Sequence, residues 1–189
     1  LNNCHKARLV LSYAKRHSID IIFAQETYLP SQTTDGRAAQ WAMHTCYSFN
    51  SNYARGVANL GSPGCTVPPL TVISDVQGRY AIMWGSLGTQ TLTLVNCYCP
   101  NVDIPSFFSQ LWGAVYSLGR CPIIWGGEFN CTLDPLLDWS HVPLGSPWAF
   151  TAFLNGLVDA GEVVHIWWAR HGRLREGTFF LLSIKVGLA

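Results

Sequence analysis

The chain is 189 residues long, 49% hydrophobic and only 12% charged, with a formal net charge of +1. That length fits one domain with a sizeable core, and so apolar a composition excludes intrinsic disorder. A charge this close to zero supplies no global basic field, so composition gives no ground for strong nonspecific affinity for nucleic acid.

In chain order, Asn3 is a candidate helix N-cap, followed by Leu9, Val10, Tyr13, Ala14 and His17 at helical spacing. Residues 19–24 read as a buried strand that ends in Gln25-Glu26-Thr27. A polar loop follows at 31–36. Short strands are expected near 47–50, 56–60, 71–75, 80–85 and 91–98, with Gly88 turning between the last two. Pro100 cannot continue a central strand, which leaves Tyr98 at the strand's last turn. Pro105 opens a helix whose buried side carries Phe107, Phe108, Leu111, Trp112 and Val115. From Ile123 an apolar run drives into Gly126-Gly127 and then Glu128-Phe129-Asn130. A loop rich in Asp and Pro and a helix near 148–157 follow. Helices alternating with sheet imply one α/β layered domain, without repeats or linker.

Seven cysteines are an odd number, and none shows CxxC spacing. Cys97 and Cys99 share a strand face, but no second ligand pair accompanies them, so free buried thiols in a reducing intracellular compartment are expected rather than zinc. No apolar run is long enough to span a bilayer, and no signal peptide is read before the first helix. Leu1 in the place of a starting Met reads as a fragment. The basic groups Lys6, Arg8, Lys15 and Arg16, and Arg170, Arg173 and Arg175, read as solvated faces. Trp41, Trp84, Trp112 and Trp148 read as packing residues.

The chemistry lies at the strand ends. Three apolar strands each deliver a polar cluster at the C-terminal end: Gln25-Glu26-Thr27, Tyr98 to Asn101, and Glu128 to Asn130. Residues i and i+2 point to one side of a strand. Glu128 and Asn130 therefore face a common point while Phe129 turns into the core. In α/β architectures that edge is where sites are built.

Taken in order, Gln25-Glu26-Thr27, Gly56-Val57-Ala58, Asn96-Cys97-Tyr98-Cys99-Pro100-Asn101 and Gly126-Gly127-Glu128-Phe129-Asn130 resemble the endonuclease/exonuclease/phosphatase superfamily. The likeness is nearest to the apurinic-type endonuclease domain of LINE-type non-LTR retrotransposons. It runs from Leu1-Asn2-Asn3 and Lys6-Ala7-Arg8, through Leu157-Val158-Asp159, to Gly177-Thr178-Phe179-Phe180. The resemblance implies a four-layer α/β sandwich over residues 1–180, incomplete at both termini, with residues 181–189 as a divergent tail. It implies Mg²⁺-dependent hydrolysis of DNA phosphodiesters by in-line attack of water, with Mn²⁺ as a second possible ion. Glu26 would hold the metal. Tyr98 would bond the scissile phosphate, Glu128 would orient or deprotonate the water, and Asn130 would donate to the phosphoryl oxygen. Asn101 and Thr178 would contact the nucleic acid strand. A retroelement endonuclease would work in the nucleus.

The sequence also departs from that family's pattern. Glu128 stands where the family carries Asp, the first-strand Asn falls before Leu1, and no Asp-His pair follows Phe180. An added methylene displaces a carboxylate by about the 1 Å that costs on the order of 10²-fold in rate. A lost general base costs a further ~10²–10⁴. The expectation is a weak or inactive nuclease. Two alternatives are a noncatalytic remnant that binds nucleic acid or protein, and a phosphomonoesterase of another superfamily branch. Sheets lacking terminal strands would expose unpaired edges, through which copies of the chain could associate.

Overall fold

In the computed structural model, which describes residues 4–29, 44–50, 54–65, 67, 69–87, 89–131, 149–160, 163–172 and 181–184, two sheets lie face to face. The alternation of side chains along the strands dictates this layering. In β6 (Gln90–Tyr98), Leu92 and Leu94 point one way, Thr93, Val95 and Cys97 the other, and all five are buried. A strand apolar on both faces needs cover on both sides.

One side of that cover is a second sheet. Strands β1 (Ile21–Ala24), β3 (Val57–Gly61) and β2 (His44–Ser48) pair antiparallel in the order β1-β3-β2. Ile21 and Phe23 of β1 meet Leu92, Leu94, Met83 and Ile124 between the sheets. The larger sheet runs β4 (Pro69–Ser74), β5 (Tyr80–Leu87), β6, β7 (Ile123–Glu128), β9 (Leu181–Ile184) and β8 (Val163–His165). Its one parallel pair, β6–β7, requires a crossover. Helix α2 (Pro105–Tyr116) provides it, with Pro at the first turn where its missing N–H costs nothing.

Helices close the outer layers. Phe107, Leu111 and Val115 of α2, with Phe150 and Leu154 of α3 (Ala149–Asp159), cover Ile82, Val95, Ile123 and Trp125. A short helix, α4 (Ile166–His171), follows β8. On the opposite flank, α1 (Cys4–Arg16) lays Ala14 and Leu11 on Ala58, Leu60, Ile22 and Ala24. The order is therefore helix, sheet, sheet, helix, which is the expected four-layer sandwich.

Three expectations change in detail. The apolar stripe of α1 is not the one that its bulkiest residues mark: Leu9, Val10 and Tyr13 are 57%, 42% and 59% exposed, whereas Ala7 and Ala14 are buried. Small side chains let the helix approach the sheet closely, so the buried face carries alanines. Leu181–Ile184, placed by sequence in a divergent tail, forms β9 and pairs antiparallel with both β7 and β8. The strands also extend beyond the expected bounds, β5 to Leu87 and β4 back to Pro69. Asn3, the 31–36 loop, Trp41, Gly88, Trp148, Arg173, Arg175, Thr178 and residues 185–189 lie outside the described residues. No helix among the described residues is long and apolar enough to cross a membrane.

Candidate active site

Strand parity brings the expected side chains together. Asn96 and Tyr98 continue the Leu92–Leu94 face of β6, so they point into the gap between the sheets. In the parallel β6–β7 ladder Tyr98 is in register with Glu128, and Asn96 with Gly126, so Glu128 shares that side. Glu26 arrives from the other sheet, two residues past the end of β1. The Tyr98 hydroxyl donates to Glu26 Oε1 at 2.9 Å, spanning 72 positions of sequence. The C-terminal ends of β1, β6 and β7 thus meet at one rim of the sandwich.

Two carboxylates and two phenols share this rim. Partial burial, then the charge of Glu26, raises the pKa of Glu128 above the usual glutamate value. Burial, the bond to Glu26 and the charges of Glu26 and Glu128 push the Tyr98 phenol up to about 12. Tyr98 therefore stays a proton donor at neutral pH. Tyr28, exposed beside it, also bonds Glu26, and that bond is the largest cause of its raised pKa. The sequence reading did not include Tyr28, although it lies two residues past Glu26.

The carboxamides form a second group. Asn130 Nδ2 donates to the Cys99 carbonyl at 2.7 Å and to Asn101 Oδ1 at 2.9 Å. The structure thus joins Asn101 to Asn130, and with both amide hydrogens taken, Asn130 reaches a further acceptor only if one bond yields. Phe129, between Glu128 and Asn130 in the chain, is 2% exposed and packs on Trp125 and Phe150, as its alternation predicts.

Backbone strain collects at this rim. Among the described residues, the non-glycine positions with positive φ are Ser18, Glu26, Tyr28, Arg55 and Asn130, and three of these are site residues. Left-handed φ is costly for Glu and Tyr and milder for Asn, and such residues gather at functional sites where surrounding contacts hold them. Here the Thr27 and Tyr28 amides donate to the Gly56 and Arg55 carbonyls at 3.0 and 2.8 Å. Gly127 has φ +141°, and a Cβ there would lie 2.1 Å from the Cys97 carbonyl oxygen, so only glycine lets β7 close on β6.

One buried residue aligns the two halves. Asn96, fully buried, donates to the carbonyls of Ala24 and Ala58 at 3.2 and 3.1 Å and accepts from Gln25 Nε2 at 2.6 Å. Ala24 and Ala58 belong to the β1–β3 sheet, and Gln25 links the end of β1 to Glu26. Sequence reading placed Asn96 in a motif without giving it a role. The available signal was an amide inside the apolar run Leu92 to Cys97. Cys46, Cys65, Cys97, Cys99 and Cys121 are free and buried, Cys131 is free and half-buried, and Cys97 and Cys99 face the helices rather than the rim.

The donor set decides which cation fits. Among the described residues, no group of three or more His, Cys, Asp or Glu side chains could hold a metal. Two neighbouring carboxylates whose charges oppose one another suit a hard divalent ion that keeps several waters, not a protein-caged ion.

No known protein-family model matches the sequence. Solved structures do share its architecture. The catalytic domain of APE2 from Xenopus laevis matches with 16% identity and a TM-score of 0.68, over 97% of this chain and 80% of that one. The 3′ phosphatase NExo from Neisseria, bound to a product DNA hairpin, matches with 15% identity and a TM-score of 0.70, over 97% and 82%. TDP2 from Caenorhabditis elegans matches at 17% identity and a TM-score of 0.56, over 95% of this chain and 58% of that one. The chain has the fold of the endonuclease/exonuclease/phosphatase superfamily.

Proposed function

Starting from that fold, we propose that the chain is a slow phosphodiester hydrolase acting on DNA, with Glu26, Tyr98, Glu128, Asn130 and Asn101 as its working residues. The observation that carries this reading is the meeting of Glu26 and Tyr98 across the two sheets at 2.9 Å, with Glu128 in register beside Tyr98. Glu26 and Glu128 would hold a divalent cation, Mg²⁺ or Mn²⁺. Bound there, such an ion neutralises charge on the phosphoryl oxygens and favours ionisation of water.

The other parts fall to the chain itself. Tyr98, kept protonated, donates to a non-bridging phosphoryl oxygen. Glu128 takes the proton of the attacking water. The water oxygen then bonds to phosphorus as the bond to the leaving sugar oxygen breaks. Asn130 holds Asn101, whose amide nitrogen is placed to donate to the strand. Glutamate in place of the family's aspartate shifts the base by about a methylene, and geometry of this order controls rate steeply. The likeness of the Asn96–Asn101 segment to LINE-type endonucleases makes nuclear DNA of a retroelement cycle the proposed substrate.

Nicking of supercoiled plasmid tests this. We expect slow nicking that needs Mg²⁺ or Mn²⁺ and drops about 10²–10³-fold in Glu26→Ala. Equal background in both proteins contradicts it. One observation favours a second reading, binding without cleavage: both Asn130 amide hydrogens are already committed. A mobility shift with no nicking under either ion would select that reading.

A further inference from the structure

Two arginines outside every basic cluster marked by the sequence flank the rim. Their backbones are pinned to the two site phenols: the Tyr28 amide donates to the Arg55 carbonyl at 2.8 Å, and the Tyr98 amide to the Arg79 carbonyl at 2.7 Å. Arg79 Nη1 also donates to the Tyr98 carbonyl at 3.3 Å. The Gly56 amide donates to the Gly78 carbonyl at 3.1 Å, so the two loops that carry the arginines are stitched together. Both side chains are half-exposed.

Burial first, then the nearby Arg55 charge, lowers the pKa of Arg79. Asp75 is the acid whose charge works in the other direction on Arg79, and its oxygens also accept from the Ser48 hydroxyl and from the amides of Gln77, Arg79 and Tyr80. Arg55 sits at φ 65°, a backbone state costly for a long side chain. An anion between two like charges relieves their repulsion, and guanidinium groups suit phosphate oxygens.

We infer that Arg55 and Arg79 form a phosphate subsite next to the Glu26–Tyr98–Glu128 rim, which takes a neighbouring, uncleaved phosphate of the same nucleic acid strand. This rests on the reading that a phosphodiester strand enters the rim. It favours a polynucleotide over a small ester with a single phosphate, because a strand always offers a second phosphate to fill the subsite. In a chain of net charge +1, this pair supplies locally the attraction that the whole surface lacks.

The test is binding of a fluorescent 20-base-pair DNA duplex, followed by anisotropy across a salt series in Ca²⁺, with plasmid nicking in Mg²⁺ alongside. Arg55→Gln should weaken binding about tenfold at low salt and reduce the slope of log K against log salt by ~0.9. Arg79→Lys keeps the charge but not the fork, and should retain most of the slope while losing affinity. Arg120→Gln serves as control: Arg120 is exposed just before β7, at the end of the strand opposite Glu128. A folded Arg55→Gln protein with unchanged affinity and slope overturns the inference, as does a wild-type protein that does not bind the duplex. Arginine-dependent binding without nicking supports the subsite and counts against the catalytic reading instead. Nicking of normal rate in Arg55→Gln at low DNA concentration refutes the subsite and leaves the catalytic reading standing.

Discussion

The two faces of β6 come from alternate residues of one nine-residue strand, yet they are held by different forces. On one face Val95 and Cys97 lie under α2 and α3 with Trp125, Leu111 and Phe150. Non-directional burial secures that side. On the other face Asn96 and Tyr98 enter the gap between the sheets, where hydrogen bonds to Ala24, Ala58, Gln25 and Glu26 fix them. The first face can exchange one apolar packing for another. The rim end of the second, past the buried Leu92 and Leu94, depends on particular atoms at particular distances, so the chemistry lies there.

Substitutions can break that contrast. The largest effect is expected from Trp125→Ala, which empties a site 1% exposed, packed on Trp112 and Phe129. Urea denaturation should show a loss of about 3–5 kcal/mol, with nicking per folded molecule unchanged. A comparable fall in turnover would mean that the faces are not separable. Asn96→Ala should come next, at about 1–3 kcal/mol, and it should also slow nicking because Gln25 and the loop carrying Glu26 lose their anchor. Stability lost without any change in rate would show that the cross-sheet bonds do not position the site.

The smallest effect is a pH dependence at the rim. Burial and Glu26 raise the pKa of Glu128 in the folded chain. Its contribution to stability is therefore complete below the ordinary glutamate value and is lost as pH climbs through the raised value. Glu128→Gln should flatten that decline, so the variant melts slightly higher than wild type at neutral pH without metal and no higher in acid. A lower melting temperature at neutral pH would contradict the stated electrostatics. Added Mg²⁺ should narrow the gap by stabilising the ionised wild-type site alone.

Much of this arrangement was legible in the sequence, and the reasons are local. Apolar runs ending in Glu26, Tyr98 and Glu128 declare both a strand and the edge where it stops, and alternation alone turns Phe129 inward. In α1 the expected helical series holds only in part: Ala14 is buried against the sheet, whereas Leu9, Val10 and Tyr13 of the same series are exposed, because close packing on a sheet favours the small side chain. Strand β9 was missed because four residues, Leu181 to Ile184, carry no alternation that separates strand from tail. Arg55, Arg79 and Tyr28 escaped notice because loops bring them to the rim through backbone hydrogen bonds, which leave no pattern in residue types.

The central claim is that side chains from two sheets form one site for a divalent ion facing a phosphoryl group. Mn²⁺ titration followed by electron paramagnetic resonance tests it without requiring turnover. The account predicts one bound Mn²⁺ in the wild-type chain, displaced by Mg²⁺ and lost in both Glu26→Gln and Glu128→Gln. Mn²⁺ binding that survives in both folded variants, or fails in the wild-type protein, would contradict it.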